Sequence, residues 1–76
     1  MDEAREILVD ARGHRCPVPT LKLRRALAGA PPGACLRLIA DDPLAKIDVP
    51  HFLNEAGGRL VETAEADGAI TFLIVK

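Results

Sequence analysis

The tetrapeptide Cys16-Pro17-Val18-Pro19 limits how this chain of 76 residues can fold. Proline has a fixed φ and no N–H, so it is tolerated in the first turn of a helix but disrupts later turns. A residue that precedes proline is pushed into an extended conformation, which is also the conformation of an N-cap. The sequence therefore predicts that a helix begins at Pro17, with Cys16 as its N-cap.

This predicted position would change the chemistry of the Cys16 thiol. Unpaired N–H groups and the macrodipole at a helix N-terminus favour a thiolate over a thiol. Because Pro17 and Pro19 lack an N–H, Val18 is the expected backbone donor to the sulfur, which should stay open to partners. The alternative is an incidental cysteine, since free cysteines often serve as small buried apolar residues.

Hydrophobic periodicity and turn residues predict one domain over residues 1–76 with the element order βαβαββ. The predicted strands cover residues 7–9, 36–40, 60–66 and 69–75, and the predicted helices cover residues 17 to 28 or 29 and residues 49–56. Asp67-Gly68 is a strong hairpin turn pair between the last two strands. Gly57-Gly58 is expected to end the second helix.

Pro50 determines where the second helix is expected to begin. Because proline fits only the first turn of a helix, Asp48 is predicted as the N-cap and residues 43–47 as a turn. Val49, Phe52, Leu53 and Ala56 would then form the buried face of this helix. In the first helix, the expected buried stripe consists of Pro19, Leu23, Ala26, Leu27 and Ala30.

Two helices and four strands predict an α+β two-layer sandwich with both helices on one face of the sheet. Ile70, Phe72 and Ile74 should face the helices. The other face would carry Leu8, Ile39, Leu73 and Val75, and it is a hypothetical docking or dimer surface. Because strand–helix–strand crossovers join parallel strands, Cys16 and Asp41-Asp42-Pro43 should lie at the same edge of the sheet.

Composition and cysteine usage exclude several classes of function. The sequence shows neither a secretory signal nor an apolar run of membrane-spanning length, so no membrane association and a cytoplasmic location are expected. Trp and Tyr are absent, which gives little support for direct nucleic-acid binding through base stacking. Cys35 should lie roughly 20 Å from Cys16, beyond the reach of a disulfide, and is interpreted as buried filler.

Charge is unevenly distributed, although the net charge is only −1. Residues 11–40 contain no acidic residue and these basic ones: Arg12, Arg15, Lys22, Arg24, Arg25 and Arg37. Such a positive surface could dock an acidic protein, bind RNA or stabilise a thiolate. It could also be no more than a solvated helix face.

The ordered strand, glycine, Cys-Pro-x-Pro and basic helix resemble the TusA family of small sulfur-carrier proteins, which includes SirA-like relatives. The matching residues are Val9-Asp10, Gly13, Cys16-Pro17-Val18-Pro19, Lys22, Ala26-Leu27, Asp41-Asp42-Pro43, Asp48-Val49-Pro50, Phe52 and Gly57. The resemblance implies a fold like the C-terminal domain of translation initiation factor three, a mixed sheet of strand order 1-2-4-3 under two helices.

For function, the resemblance implies persulfide relay by a sulfurtransferase that acts as a carrier rather than as a turnover enzyme on a small substrate. Cys16 would accept a sulfane sulfur from a cysteine desulfurase or another persulfide donor and pass it to a downstream acceptor protein. Outlets in the family are tRNA thiolation, sulfur oxidation and cofactor biosynthesis. The chemistry needs no metal and no organic cofactor.

The resemblance also assigns roles to residues around Cys16. Gly13, Pro17, Val18 and Pro19 are the supporting residues of the motif. Candidates for partner docking are Arg15, Leu21, Lys22, Arg24, Arg25 and Asp42. His14 stands where the family commonly has an apolar residue, and a histidine close to a thiol can assist proton transfer. The alternatives are that His14 fills the family's apolar position or lies at the surface.

Three other functions compete with the carrier. A cysteine hydrolase using His14 is disfavoured because so small a domain has little room for a substrate pocket, and a redox protein lacks a Cys-x-x-Cys motif. The remaining alternative is a non-catalytic regulatory or RNA-binding module that uses the basic face of the first helix, with Cys16 incidental.

Overall fold

The computed structural model describes residues 6–15 and 17–76. Its elements follow the predicted order βαβαββ. They are β1 (Glu6–Asp10), α1 (Val18–Gly29), β2 (Cys35–Ala40), α2 (Ala45–Ala56), β3 (Arg59–Ala66) and β4 (Ala69–Val75). All four strands and the Asp67-Gly68 turn agree with the prediction to within one residue at each end.

The four strands form one mixed sheet of order β1-β2-β4-β3, as the resemblance implied. β1 and β2 run parallel, with Val9 opposite Leu38, and α1 provides the crossover between them. β4 pairs antiparallel with both β2 and β3. The carboxyl ends of β1 and β2 therefore lie side by side, which places the segments that follow them at one edge of the sheet.

One face of the sheet packs against both helices and forms the core. Ile70, Phe72 and Ile74 are buried there, which confirms the predicted inward face of β4. The fully buried core residues on β2 and the helices include Leu36, Leu38, Leu23 and Val49. The predicted stripe on α1 is confirmed, with Ala26 only half-buried. Ala56 was expected in the core but is exposed, because it lies in the last turn of α2 at the mouth of a groove between the helices.

The opposite face of the sheet is open. Leu8 is 62% exposed, and Ile39, Leu73 and Val75 are half-buried, as predicted for this side. The structure corrects the interpretation of Cys35 as buried filler. β2 begins at Cys35, and the two-residue alternation of a strand places this free thiol on the open face, where it is half-buried.

The start of α1 differs by one residue from the prediction. Helix α1 begins at Val18, and Pro17, not Cys16, occupies the N-cap with φ −95° and ψ 14°. The Val18 N–H donates to the Arg15 carbonyl oxygen at 2.9 Å. A turn that ends at Val18 therefore uses that N–H, and the expected contact with the Cys16 thiol lies outside the described residues.

The start of α2 lies four residues before the predicted one, at Ala45. The helix begins just after Asp42-Pro43, and not after the predicted N-cap Asp48. Asp42 Oδ1 accepts a hydrogen bond from the Leu44 N–H at 3.1 Å, and the Asp42 carbonyl accepts one from the Ala45 N–H at 2.9 Å. Proline is favoured just after such a cap. Pro50 is consequently inside the helix rather than in its first turn.

Candidate functional site

The loop that follows β1 is attached to the segment that follows β2. The Ala11 N–H donates to the Ile39 carbonyl at 2.8 Å, which extends the pairing of the two parallel strands. Beyond it, the Gly13 N–H donates to both carboxylate oxygens of Asp41, at 3.1 and 3.0 Å. The predicted proximity of the two segments is confirmed for Gly13 and Asp41, whereas Cys16 itself lies outside the described residues.

Gly13 is required by its backbone conformation. Its φ is +84°, a left-handed value that side-chain-bearing residues rarely adopt. An added β-carbon would meet no atom within 4 Å, so steric crowding does not select glycine here. The predicted supporting role of Gly13 therefore has a physical basis in the turn that leads toward Cys16.

A second anchor holds the beginning of this loop. The Arg12 guanidinium donates to both oxygens of Asp10, with Nη2 2.8 Å from Oδ2 and Nε 3.0 Å from Oδ1. The Arg12 backbone N–H adds a third bond to Asp10 Oδ1 at 3.1 Å. These hydrogen bonds from Arg12 hold the pKa of the Asp10 carboxyl well below its usual range. The loop therefore leaves β1 in a defined direction.

A shallow cleft of about 390 Å³ lies between the two segments. It is lined by Gly13, His14, Arg15, Asp41, Asp42 and Pro43. The side chains of His14 and Arg15 are exposed. Both residues are thus available to a docking protein, and the proton-transfer role of His14 stays a prediction.

Asp42 differs from its neighbour Asp41. It is only 8% exposed, and its Oδ1 accepts the hydrogen bond from Leu44 at the start of α2. Asp41 is exposed at the edge of the cleft. Burial argues against the docking role predicted for Asp42, because a carboxylate directed into the fold has little surface to offer a partner.

Helix α1 presents a basic surface next to this edge. We call it the α1 outer face; it consists of Val18, Leu21, Lys22, Arg24, Arg25 and Ala28, which border a shallow depression of about 590 Å³. Leu21 is 49% exposed, and the three cations are exposed as predicted. An exposed apolar side chain surrounded by cations suits contact with an acidic protein surface that has an apolar centre.

The residues on either side of Cys16 define its surroundings. Arg15 and Pro17 are both exposed, whereas Pro19, in the first turn of α1, is buried. The motif therefore runs from the surface into the core within a few residues. Among residues 6–15 and 17–76, no group of three or more His, Cys, Asp and Glu side chains is arranged to hold a metal ion.

The two helices are short compared with a membrane-spanning segment. Within the part of the chain that the structure describes, neither α1 nor α2 is long and apolar enough to cross a bilayer.

Sequence reasoning missed the hydrogen bonds between Asp41 and Gly13. The available signal was the placement of both residues after neighbouring parallel strands. It predicted proximity but did not indicate which atoms meet.

Comparison with known proteins gives one consistent result. The family model described as "Sulfurtransferase TusA" matches residues 7–76. The sulfur carrier protein TusA of Pseudomonas aeruginosa is 34% identical over 76 residues, covering 100% of this chain and 96% of the relative. That of Allochromatium vinosum is 37% identical over 68 residues, covering 90% of each.

A solved structure has the same architecture. The crystal structure of the SirA-like protein of Desulfitobacterium hafniense superposes with a TM-score of 0.80 at 28% identity. The match covers 91% of this chain and 95% of that one. The fold and the loop at its sheet edge are thus those of a small sulfur-carrier domain. With the family model spanning nearly its whole length, the chain belongs to the TusA family of sulfur-carrier proteins.

Proposed function

We propose that Cys16 is the residue that carries the sulfur, as a persulfide. Membership of a sulfur-carrier family carries this proposal, together with the position of Cys16 between the exposed residues Arg15 and Pro17. The alternative thiol, Cys35, is half-buried on the open face of the sheet, away from the loop that Gly13 and Asp41 hold.

The transfer consists of two displacements at sulfur. The Cys16 thiolate attacks the terminal sulfur of a donor persulfide, the S–S bond of the donor breaks, and the donor thiolate leaves. An acceptor thiolate then attacks the terminal sulfur of the Cys16 persulfide and releases the Cys16 thiolate. Each step forms one S–S bond and breaks one, so no external oxidant or reductant is consumed.

Positive charge around Cys16 supports both steps. Arg15 belongs to the same loop, and the cations of the α1 outer face follow it in the chain, whereas the charge of Arg12 is paired with Asp10. The potential of Arg15 and of the α1 cations favours thiolate over thiol and stabilises Cys16 as the leaving group in the second step. The reducing cytoplasm suits this chemistry, because the relay needs free thiols.

The same charges define the surface for partners. The candidate docking residues are Arg15, at the cleft, and Leu21, Lys22, Arg24 and Arg25, on the α1 outer face. The partners are a cysteine desulfurase or another persulfide donor and then an acceptor protein, in tRNA thiolation, sulfur oxidation or cofactor biosynthesis. Both partners would use an acidic surface around the reacting sulfur.

A relay experiment tests this function. The protein is loaded by a desulfurase with ³⁵S-labelled cysteine, separated from the donor, and mixed with an acceptor that carries a reactive cysteine. We expect label to move to the acceptor from the wild type and from Cys35→Ala, and Cys16→Ala to carry none.

A different pattern would favour the competing function. If Cys16→Ala retains full biological activity and the protein binds RNA with a steep salt dependence, a non-catalytic module using the α1 outer face explains the chain better.

A further inference from the structure

We propose that Asp41 is a positioning residue for sulfur transfer: its carboxylate holds the loop of residues 11–17 in the conformation that presents Cys16 to a partner. This inference rests on the proposed function. It concerns a residue that takes no part in the bond-making steps and is set apart from Cys16 by 25 positions in the sequence.

A bifurcated hydrogen bond connects Asp41 to the loop. Both oxygens of Asp41 accept from the single Gly13 N–H, at 3.1 and 3.0 Å, across 28 positions of sequence. A charged acceptor makes a stronger hydrogen bond with a backbone N–H than a neutral one does. The bond therefore extends the connection of the two segments two residues beyond the Ala11–Ile39 hydrogen bond, toward Cys16.

The surroundings of Asp41 give the second argument. Ala40 before it is fully buried and Asp42 after it is 8% exposed, whereas Asp41 is exposed. Packing does not explain a carboxylate at this position, because an exposed side chain contributes little to the core. Its described hydrogen bonds go to Gly13 in the opposite segment.

The conformation of the loop gives the third argument. Gly13 has a left-handed φ of +84°, and His14 N–H then returns to the Ala11 carbonyl at 3.3 Å. A glycine in an exposed loop is conformationally permissive and needs an external contact to stay in one conformation. Asp41 supplies that contact three residues before Cys16.

One cation of the same loop also attracts the Asp41 carboxylate. The pKa of Arg12 is raised, chiefly by its hydrogen bond to Asp10 and to a smaller extent by the charge of Asp41. Because Arg12 is already paired with Asp10, its attraction to Asp41 is a minor contribution beside the hydrogen bond to Gly13. The sequence position requires a carboxylate or an amide, since either provides an oxygen that accepts from Gly13.

The test compares Asp41→Ala, Asp41→Asn and the matched charge-removal control Glu55→Ala, which alters an exposed carboxylate on α2. All variants carry Cys35→Ala, so that Cys16 is the sole thiol. In Asp41→Ala, amide hydrogen exchange at Gly13 and His14 should accelerate. The single-turnover rate of loading at saturating donor should fall by about tenfold, because small displacements of a reacting group are costly. The donor concentration at half-maximal rate should stay unchanged.

Asp41→Asn keeps one acceptor oxygen, so its amide exchange at Gly13 and His14 and its loading rate should stay within about twofold of the parent. The same is expected of the control Glu55→Ala. Equal losses in Asp41→Ala and Asp41→Asn would overturn the proposal in favour of a pure charge effect. Unchanged exchange at Gly13 in Asp41→Ala would overturn it as well.

The failure of the proposed function would give a different result. If the desulfurase does not load the parent, relay through Cys16 fails, while Gly13 exchange and the rate of Cys16 alkylation by iodoacetamide still decide whether Asp41 holds the loop. Should Asp41→Ala not fold, Gly13→Ala provides the second variant, because it strains the donor side of the same contact and leaves the Asp41 carboxylate in place. Loading and alkylation rates equal to those of the parent in Gly13→Ala would overturn the proposal.

Discussion

The Arg24 guanidinium lies over the Phe52 ring, with its central carbon 5.9 Å from the ring centre. Arg24 belongs to the α1 outer face and Phe52 is a half-buried residue of α2, so the contact joins the two helices on their solvent side. A cation held over an aromatic ring at an exposed site stabilises a protein by about 0.5–1 kcal/mol. One candidate docking cation is therefore oriented by the fold itself.

A double-mutant cycle measures this contact. The variants Arg24→Gln, Phe52→Leu and their combination should show a coupling free energy of about 0.5–1 kcal/mol in urea unfolding. Strictly additive losses would mean that the two side chains lie near each other without interacting.

Charge reversal on the α1 outer face tests the docking surface. Arg25→Glu should slow loading by the desulfurase roughly tenfold at low salt, with a smaller effect as salt is raised, because electrostatic steering is screened. Arg59→Glu provides the matched control, since Arg59 is an exposed cation on β3. Equal effects of the two reversals would point to net charge rather than to a docking site.

Gly58 is packed too closely for a side chain. A β-carbon there would lie 2.8 Å from Leu53 Cδ2, and Leu53 is only 2% exposed. Gly58→Ala should therefore destabilise the protein by about 1–3 kcal/mol in urea unfolding.

Gly29→Ala is the control for this substitution. A β-carbon on Gly29, in the last turn of α1, would meet no atom within 4 Å. Alanine also has the higher helix propensity, so this variant should be neutral or up to about 1 kcal/mol more stable. A similar loss at both positions would contradict the packing argument.

Acid should weaken the ion pair on the open face of the sheet. The Arg37 guanidinium donates to both oxygens of Glu6, at 2.9 and 3.1 Å, and lowers the pKa of that carboxyl below 4.5. Because the folded pKa lies below the unfolded one, the pair's contribution is present at neutral pH and is lost as pH falls through the folded value.

The measurement is urea unfolding of the wild type and Glu6→Gln from neutral to acid pH. Glu6→Gln should be less stable than the wild type near neutral pH, and the difference should shrink as pH falls through the lowered pKa of Glu6. A difference that stays constant with pH would contradict this assignment. The direction is the same for Asp10 with Arg12.

The sheet could be predicted because its signals are local. Alternating apolar residues define β4, and Asp67 and Gly68 adopt the positive φ values, 53° and 78°, that a tight hairpin turn needs. The start of α2 was harder to predict than the strands, because two helix-start signals compete there. They are Asp42-Pro43 and Asp48-Val49-Pro50. The hydrogen bonds of Leu44 and Ala45 to Asp42 form at the first of these signals, so Pro50 lies inside the helix.

The site was predictable as a neighbourhood rather than as a set of contacts. Parallel pairing of β1 and β2 requires that the segments after them meet, so the proximity of Gly13 and Asp41 follows from topology. The burial of Asp42 and the exposure of Asp41 do not follow from it, because they depend on how α2 begins. The half-buried position of Cys35 depends on β2 starting one residue earlier than expected.

The identity of the loaded residue is the most direct test of the account. Mass spectrometry of the intact protein and of its proteolytic peptides is performed after incubation with a cysteine desulfurase and cysteine, without reductant. The account predicts the gain of one sulfur atom on the peptide that contains Cys16, in the wild type and in Cys35→Ala alike. Sulfur on Cys35 instead, or equal loading of Cys16→Ala, would contradict it.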